Sequence, residues 1–268
     1  MTRRARVDAE LVRRGLARSR QQAAELIGAG RVCINGMPAN KPATAISVDA
    51  RLTVQAGETT WVSRGAHKLI GALDTFGIPV ADRRCLDAGA STGGFTEVLL
   101  DRNAREVVAV DVGYGQLAWS LRNDPRVTVM ERTNVRELTG DSIGGPVDVV
   151  VADLSFISLS TVLPALTSCA SLTADIVPMV KPQFEVGKER VGAGGVVTDP
   201  CLRADAVRSV SHRAGEIGWH TVAVTASQLP GPAGNVEYFL HLRADTAAAL
   251  TGADLEAAIG TAVEEGPQ

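Results

Sequence analysis

The stretch that decides the fold reads Cys85-Leu-Asp-Ala-Gly-Ala-Ser-Thr-Gly-Gly-Phe-Thr-Glu97. It begins as an apolar run, passes through three glycines and continues with residues that favour a helix. Glycine permits the sharp turn that leads from a strand into a helix, and the first turn of that helix presents free backbone N–H groups. The stretch therefore predicts a strand, a ligand-binding turn and a helix, the unit from which open parallel sheets are built.

Two common kinds of glycine-rich turn do not fit this stretch. A dinucleotide-binding turn requires glycine at the second position after Gly89, where this chain has Ser91, and a Walker loop requires lysine at the position of Phe95. A nucleoside without a pyrophosphate, such as S-adenosylmethionine, needs only close backbone approach and donors for its carboxylate. Asp111 follows the next apolar run, 22 positions after Gly89, which is near the spacing at which an acidic residue binds ribose hydroxyls.

We therefore predict that the turn and Asp111 bind a nucleoside cofactor, for which S-adenosylmethionine is a candidate, although each signal alone has a structural alternative. A glycine-rich turn can be purely structural, and an aspartate after a strand can cap the next helix. Phe156 either covers the cofactor or packs in the core. The residues assigned to the cofactor site are Asp87, Gly89, Ala90, Ser91, Thr92, Gly93, Gly94, Phe95, Asp111, Asn134, Asp153 and Phe156.

From Trp61 onward, apolar runs alternate with helical stretches. A short loop rich in proline and glycine joins the last two runs without a helix, so these two strands should pair antiparallel. The predicted fold class is α/β: a class I (Rossmann-like) seven-stranded methyltransferase sheet with its last strand antiparallel, plus a small N-terminal α+β RNA-binding domain. The predicted strands span 84–88, 107–111, 127–130, 147–152, 175–180, 219–226 and 236–242.

The N-terminal part of the chain differs from the rest in charge. The 268 residues have a net charge of −3, yet the first 42 carry nine Lys/Arg against three Asp/Glu. So many arginines on a small unit favour binding to phosphate over a merely solvated surface. We predict an RNA-binding domain at 1–58, a linker at 59–64 and a methyltransferase domain at 65–268. The predicted RNA contacts are Arg3, Arg4, Arg6, Arg13, Arg14, Arg18, Arg20, Arg31 and Lys41.

The same unit resembles a known RNA-binding fold. Two helical patterns, the second with Ser19 as its candidate cap, precede Asn35-Gly36, the strongest short hairpin signal. The run Leu11-Val-Arg-Arg-Gly-Leu-Ala-Arg-Ser-Arg-Gln-Gln-Ala, with Gly30-Arg-Val-Cys-Ile-Asn-Gly after it, resembles the alpha-L fold of a small-subunit ribosomal protein, pseudouridine synthases and tyrosyl-tRNA synthetases. Because no aromatic residue precedes Trp61, we expect this unit to bind the RNA backbone and shape, not its bases.

Four charged residues stand where separate elements begin or end: Lys68, Asp153, Lys181 and Glu237. Each alone is more simply a cap, a solvated lysine or an edge carboxylate. Together they can reach one edge of the sheet, and a lysine that ends an apolar strand requires a partner. A ribose hydroxyl is a weak nucleophile, and a neutral lysine can remove its proton. We predict that Lys181 is the general base and lies beside the oxyanion, and that Asp153 holds Lys181 or positions the methyl group. Lys68 and Glu237 are predicted to orient the ribose and to tune the basicity of Lys181.

This Lys-Asp-Lys-Glu set resembles the tetrad of FtsJ-type 2′-O-ribose methyltransferases, and nearly the whole chain is similar to the TlyA family, historically called haemolysins. The resemblance implies methylation of cytidine 2′-hydroxyls in 16S and 23S ribosomal RNA, with S-adenosylmethionine as donor. It also implies that ribosomal RNA or ribosomal subunits are the partners, and that the methylation affects sensitivity to capreomycin-type cyclic peptide antibiotics.

Composition and patterning exclude several other classes. No apolar segment approaches the roughly 20 residues that span a bilayer, and no signal-peptide core follows the N-terminus. The sequence has no Cys-x-x-Cys pair and no Cys/His cluster with zinc spacing. We predict a cytoplasmic protein with no membrane partner and no metal. Two other functions stay open at this point: a membrane-active haemolysin, as the older family name suggests, and a non-catalytic ribosomal RNA-binding protein.

Overall fold

The structure is a computed structural model that describes residues 4–17, 19–28, 30–39, 41–54 and 61–267. The chain divides into two compact units, Met1–Thr60 and Trp61–Gln268, and each has an apolar core of its own. The domain and linker boundaries given above remain a prediction.

In the N-terminal unit, the described residues form two helices and five short strands. The hairpin predicted at Asn35-Gly36 is confirmed, because β2 and β3 pair antiparallel across these two residues, and both have positive φ. The predicted cap is also confirmed, since the Ser19 hydroxyl accepts the backbone N–H of Gln22 at 3.1 Å. The elements are β1 (Arg4–Arg6), α1 (Val7–Arg13), α2 (Arg20–Gly28), β2 (Val32–Ile34), β3 (Met37–Pro38), β4 (Ala45–Ser47) and β5 (Leu52–Val54).

The C-terminal unit continues with alternating strands and helices. Three-residue 3-10 turns occur between some of them. Its elements are α3 (Gly65–Phe76), β6 (Arg84–Ala88), α4 (Gly94–Asp101), β7 (Glu106–Val110), α5 (Trp119–Arg122), β8 (Val127–Met130), β9 (Val147–Ala152), α6 (Leu159–Ser168), β10 (Ala170–Val180), α7 (Pro182–Glu185), α8 (Pro200–Glu216), β11 (His220–Ala226), β12 (Tyr238–Arg243) and α9 (Gly252–Glu265).

These strands form one seven-stranded sheet in the order β11-β12-β10-β9-β6-β7-β8. The five neighbouring strands β10, β9, β6, β7 and β8 run parallel to one another. β12 is antiparallel to both β10 and β11. The predicted fold class, including the reversed last strand, is therefore confirmed. β10 begins at Ala170, five residues before the predicted start at 175. The sequence pattern did not indicate these first residues because they lie outside the buried apolar run, and Leu172 among them is exposed.

The packing of the sheet decides where a site can form. α3 and α4 contribute to the core on one face, and α6, α8 and α9 contribute to the core on the other. The central strands are buried on both faces, which explains their continuous apolar runs. Because β6, β7, β9 and β10 are parallel, the residues that follow them meet at one edge of the sheet.

Candidate active site

The turn after β6 approaches neighbouring groups so closely that only glycine fits. Gly89 has φ +90°, and a Cβ atom there would collide with the carbonyl oxygen of Asp153. A Cβ atom at Gly94 would collide with the Ser63 hydroxyl. Gly93 has φ +100°, and a Cβ atom there would collide with the side chains of Leu117 and Leu121, which lie between β7 and β8. The turn borders a recess of about 90 Å³ lined by Ser63, Gly65, Gly89, Ala90, Ser91, Thr92, Gly94, Phe95 and Asp153.

Asp111, directly after β7, connects the glycine turn to the segment that follows β7. Its Oδ2 atom accepts the N–H of Ser91 at 2.8 Å, and its Oδ1 atom accepts the N–H of Gly113 at 2.7 Å. The structural alternative for Asp111, capping the next helix, is wrong, because α5 begins only at Trp119 and has no side-chain cap, whereas Asp111 binds the backbone of the loop directly after β7. A carboxylate oxygen can accept two hydrogen bonds, so both oxygens can still accept ribose hydroxyls as predicted.

Asp87 is fully buried beneath the turn, near the end of β6. Its Oδ2 atom accepts the Thr96 hydroxyl at 2.6 Å, whereas its Oδ1 atom has no partner among the described residues. Burial raises the pKa of Asp87 to about 7, and the charges of Asp153 and Asp111 act in the same direction. An unpartnered buried acceptor next to the glycine turn fits a ligand with a cationic amine, such as the α-ammonium group of S-adenosylmethionine.

We expect Asp87 to make the stability of this unit depend on pH. A carboxyl group whose pKa is raised on folding stabilises the native state while it is protonated, and this contribution is lost as the pH rises from about 4 to about 7. Asp87→Asn has no carboxyl group to titrate at this position, so the variant should not show this loss of stability as the pH rises. In urea denaturation, the variant should gain about 3 kcal/mol relative to the wild type between pH 5 and pH 8. Asp74→Asn, at an exposed carboxylate, is the control, and an equal gain in both variants would contradict the assignment.

Five of the predicted cofactor residues do not line the small recess: Asp87, Gly93, Asp111, Asn134 and Phe156. Asn134 is exposed, and its side chain caps a short 3-10 turn by accepting the N–H of Arg136 at 3.1 Å. Phe156 is 92% exposed at φ +63°, so it does not pack in the core. Its ring lies 5.4 Å from that of Phe184, and both border a larger recess of about 650 Å³. An exposed aromatic ring on strained backbone is typical of a functional position.

The site includes residues that the sequence analysis missed. Ser63 and Gly65 line the small recess together with the glycine turn. Val112 exposes a large apolar side chain directly after Asp111, where it suits the flat face of a nucleoside base, whereas the Arg132 guanidinium lies 4.1 Å from the centroid of the nearby Tyr114 ring and covers one of its faces. The available signal was an apolar residue beyond the predicted ribose-binding aspartate, at a position where the strand has already ended.

The four predicted catalytic residues form two ion pairs. Nζ of Lys68, in the first turn of α3, donates to the carboxylate of Glu237, and both residues are buried. Nζ of Lys181, directly after β10, lies 2.5 Å from Oδ1 of Asp153 and donates to Oγ of Ser155 at 3.0 Å. Each buried charge thus has the partner that its desolvation requires.

The strand register brings the two ion pairs together. Antiparallel pairing of β10 with β12 places Lys181 opposite Glu237, one step beyond the last paired residues. β9 lies on the other side of β10, and Asp153 follows it directly. Three of the four residues therefore lie at adjacent strand ends, and Lys68 reaches Glu237 from α3. Because Asp153 also lines the small recess, the charged cluster adjoins the candidate cofactor site.

Comparison with known proteins agrees with this geometry. The FtsJ-like methyltransferase family matches residues 61–244. The 16S/23S rRNA (cytidine-2′-O)-methyltransferase TlyA of Mycobacterium tuberculosis is 72% identical over 268 residues, which is 100% of each chain. This chain belongs to the TlyA family of FtsJ-like methyltransferases. It is therefore a methyltransferase with S-adenosylmethionine as its methyl donor, as predicted.

Two further TlyA-like proteins carry the older name of the family. Hemolysin A of Brachyspira hyodysenteriae is 35% identical over 88% of this chain and 98% of its own. A hemolysin-like protein of known structure from Streptococcus thermophilus is 35% identical, with a TM-score of 0.72 and coverage of 99% and 98%. Within the described ranges, no helix has the length and apolar character to cross a membrane. The same ranges contain no group of three or more His, Cys, Asp or Glu side chains placed to hold a metal.

The N-terminal unit of this TlyA-family chain matches the S4 domain over residues 5–52, which confirms the predicted resemblance. Of the predicted RNA contacts, Arg3 and Arg18 lie outside the described residues. Arg14 is only 22% exposed and donates to two backbone carbonyls, so it helps to hold the unit together. The side chains that are exposed are Arg4, Arg6, Arg13, Arg20 and Lys41, and Arg31 is half-buried.

Proposed function

We propose that this chain transfers the methyl group of S-adenosylmethionine to the 2′-hydroxyl of cytidines in 16S and 23S ribosomal RNA. The observation that carries the proposal is the convergence of the Lys68–Glu237 and Lys181–Asp153 pairs beside the glycine turn. The M. tuberculosis relative, 72% identical over its full length, is named for this activity. The S4 match supports a unit that captures RNA.

Lys181 is the proposed general base. Only its neutral amine can take the proton of the ribose hydroxyl, and the resulting ammonium group can then stabilise negative charge on the oxygen. Asp153 and Ser155 fix the position of Nζ through contacts of 2.5 and 3.0 Å. When bound, S-adenosylmethionine supplies an electrophilic methyl carbon on its sulfonium. Holding the hydroxyl in line with that carbon contributes much of the rate acceleration.

Glu237 and Lys68 are proposed to orient the ribose. Glu237 lies opposite Lys181, and its buried carboxylate is held in one place by Lys68. A fixed carboxylate can accept a hydrogen bond from a ribose hydroxyl and so restrict where the sugar sits. The exposed ring of Phe156 and the recess beside it offer the acceptor nucleotide an apolar surface at the same edge of the sheet.

The substrate also determines where the enzyme works. An enzyme that modifies ribosomal RNA meets its substrate in the cytoplasm, where ribosomes are assembled, and we place this chain there. Its proposed partners are ribosomal RNA or ribosomal subunits, and the proposal includes an effect of the methylation on sensitivity to capreomycin-type cyclic peptide antibiotics.

The test is to locate the methyl group. Unmodified 16S and 23S RNA are incubated with the full-length chain and S-adenosylmethionine, digested with nuclease and analysed by mass spectrometry. We expect one added methyl group on the sugar of particular cytidines. The modified positions should also resist alkaline cleavage, which needs a free 2′-hydroxyl. Methyl groups found only on bases, or no transfer at all, would overturn the proposal.

A further inference from the structure

A buried carboxylate lies at the centre of the basic N-terminal unit. Asp8, in the first turn of α1, is only 4% exposed. Its carboxylate accepts Nε and Nη2 of Arg6 at 3.0 and 2.8 Å, Nη2 of Arg20 at 3.1 Å, and the backbone N–H of Ala9 at 2.8 Å. The Arg6 guanidinium beside it holds the pKa of Asp8 well below its usual range, so the carboxylate is ionised at neutral pH.

The two arginines meet at one atom although they come from different elements. Arg6 is the last residue of β1, and Arg20 is the first residue of α2. An Nη2 atom of each lies within 3.1 Å of the same oxygen, Oδ2 of Asp8. Their side chains nevertheless remain 50% and 59% exposed. Two guanidinium groups are therefore held next to each other with much of their surface open to solvent.

The neighbouring acidic residue serves a different purpose. Glu10 is also buried, and it pairs with Arg13 and Arg14. Arg14, however, donates its other N–H groups to the backbone carbonyls of Val48 and Ala50. The Glu10 cluster therefore ties α1 to the segment around residue 50. Asp8, by contrast, holds two exposed arginines.

We propose that Asp8 is a positioning residue for RNA: it holds the Arg6 and Arg20 guanidinium groups side by side so that both contact one phosphodiester group. The inference rests on the proposed ribosomal RNA substrate. Two guanidinium groups that contact the same carboxylate oxygen repel each other, and the negative charge of that carboxylate offsets the repulsion. Long side chains fixed before binding lose less conformational freedom when the phosphate arrives. A guanidinium that uses one edge on a carboxylate can still offer N–H donors to a phosphate.

If Asp8 positions the two arginines, Asp8→Asn changes RNA affinity in the direction opposite to the one that net charge alone predicts. Asp8→Asn removes one negative charge from an RNA-binding unit, so charge alone would make binding tighter. If Asp8 positions the arginines, the variant should bind about tenfold more weakly. The slope of log K against log salt should also become shallower by about one phosphate contact. Asp49→Asn is the matched control, because Asp49 is exposed in the same unit and its loss changes the net charge equally.

The experiment measures binding of the full-length chain to transcribed 16S and 23S RNA at several salt concentrations, together with KM and kcat for methyl transfer. Weaker binding by Asp8→Asn, with a raised KM, an unchanged kcat and an unaltered far-UV spectrum, supports the proposal. It is overturned if this variant binds as tightly as the wild type or tighter. It is also overturned if Asp8→Asn weakens binding equally in a chain that already carries Arg6→Ala and Arg20→Ala, because Asp8 then acts by another route.

A second variant keeps the proposal testable if Asp8→Asn fails to fold. Asp8→Glu preserves the charge but moves the carboxylate by one methylene, so weaker binding supports positioning and unchanged binding overturns it. The proposed function can fail separately. A wild-type chain that binds RNA but transfers no methyl group would overturn the proposed reaction, while the binding measurements would still decide the role of Asp8.

Discussion

Lys181→Ala lowers kcat for methyl transfer by roughly 10²- to 10⁴-fold, the range that a positioned general base contributes. The variant has no amine to take the ribose proton. It also leaves the Asp153 carboxylate without its cationic partner, close to the place where negative charge develops on the acceptor oxygen. KM for RNA should change much less, because RNA capture is assigned to the N-terminal unit. Single-turnover transfer of a labelled methyl group to 23S RNA measures the effect on the chemical step.

Arg102→Ala is the matched control for Lys181→Ala. It also removes a cation that is paired with a carboxylate in the same unit, since Arg102 lies 2.7 Å from Asp74. That pair is at the surface, so its loss should cost at most about 1 kcal/mol of stability and leave kcat unchanged. A folded Lys181→Ala variant with wild-type kcat would show that Lys181 is not the base. Equal losses in both variants would show that the effect is a general one of removed charge.

The sheet could be predicted because its central strands are buried on both faces. β9 carries an uninterrupted apolar run, and its predicted range of 147–152 coincides with Val147–Ala152. The strands β1, β4 and β5 were not predicted, since three residues are too few to show a period and their partners are distant in sequence. The first residues of β10 were missed for a related reason, because hydrogen bonding alone extends that strand beyond its buried part.

The residues of the candidate site were easier to predict than their contacts. Each charged residue stands at the end of an apolar element, and this position is visible in the sequence. Which amine pairs with which carboxylate depends on strand order, because β12 lies between β10 and β11 and so brings Glu237 opposite Lys181. Of the two roles left open for Asp153, the structure supports holding Lys181 through a direct contact. The unpartnered oxygen of Asp87 could not be foreseen, since it follows from burial.

Breaking the Lys68–Glu237 pair should destabilise the C-terminal unit on the order of 3 kcal/mol. Both side chains are buried, so Glu237→Gln leaves the Lys68 ammonium without a counter-charge, and Lys68→Met leaves a buried carboxylate in the same position. Each single variant should unfold at a lower urea concentration than the wild type. The variant that carries both substitutions buries no charge at this place and should regain most of the lost stability.

In the variant that carries both substitutions, we expect stability to return without activity. This difference would show that the Lys68–Glu237 pair has a function in the reaction besides its contribution to the fold. Replacing a buried ion pair by uncharged groups of similar volume can restore the fold. It cannot restore the negative charge of the Glu237 carboxylate, which makes a stronger hydrogen bond to a ribose hydroxyl than the neutral glutamine oxygen does. We therefore expect the double variant to fold like the wild type while its kcat/KM for RNA stays as low as that of Glu237→Gln. If activity recovers together with stability, the pair only supports the fold. If the two destabilisations simply add, Lys68 and Glu237 do not depend on each other, and the assigned geometry is wrong.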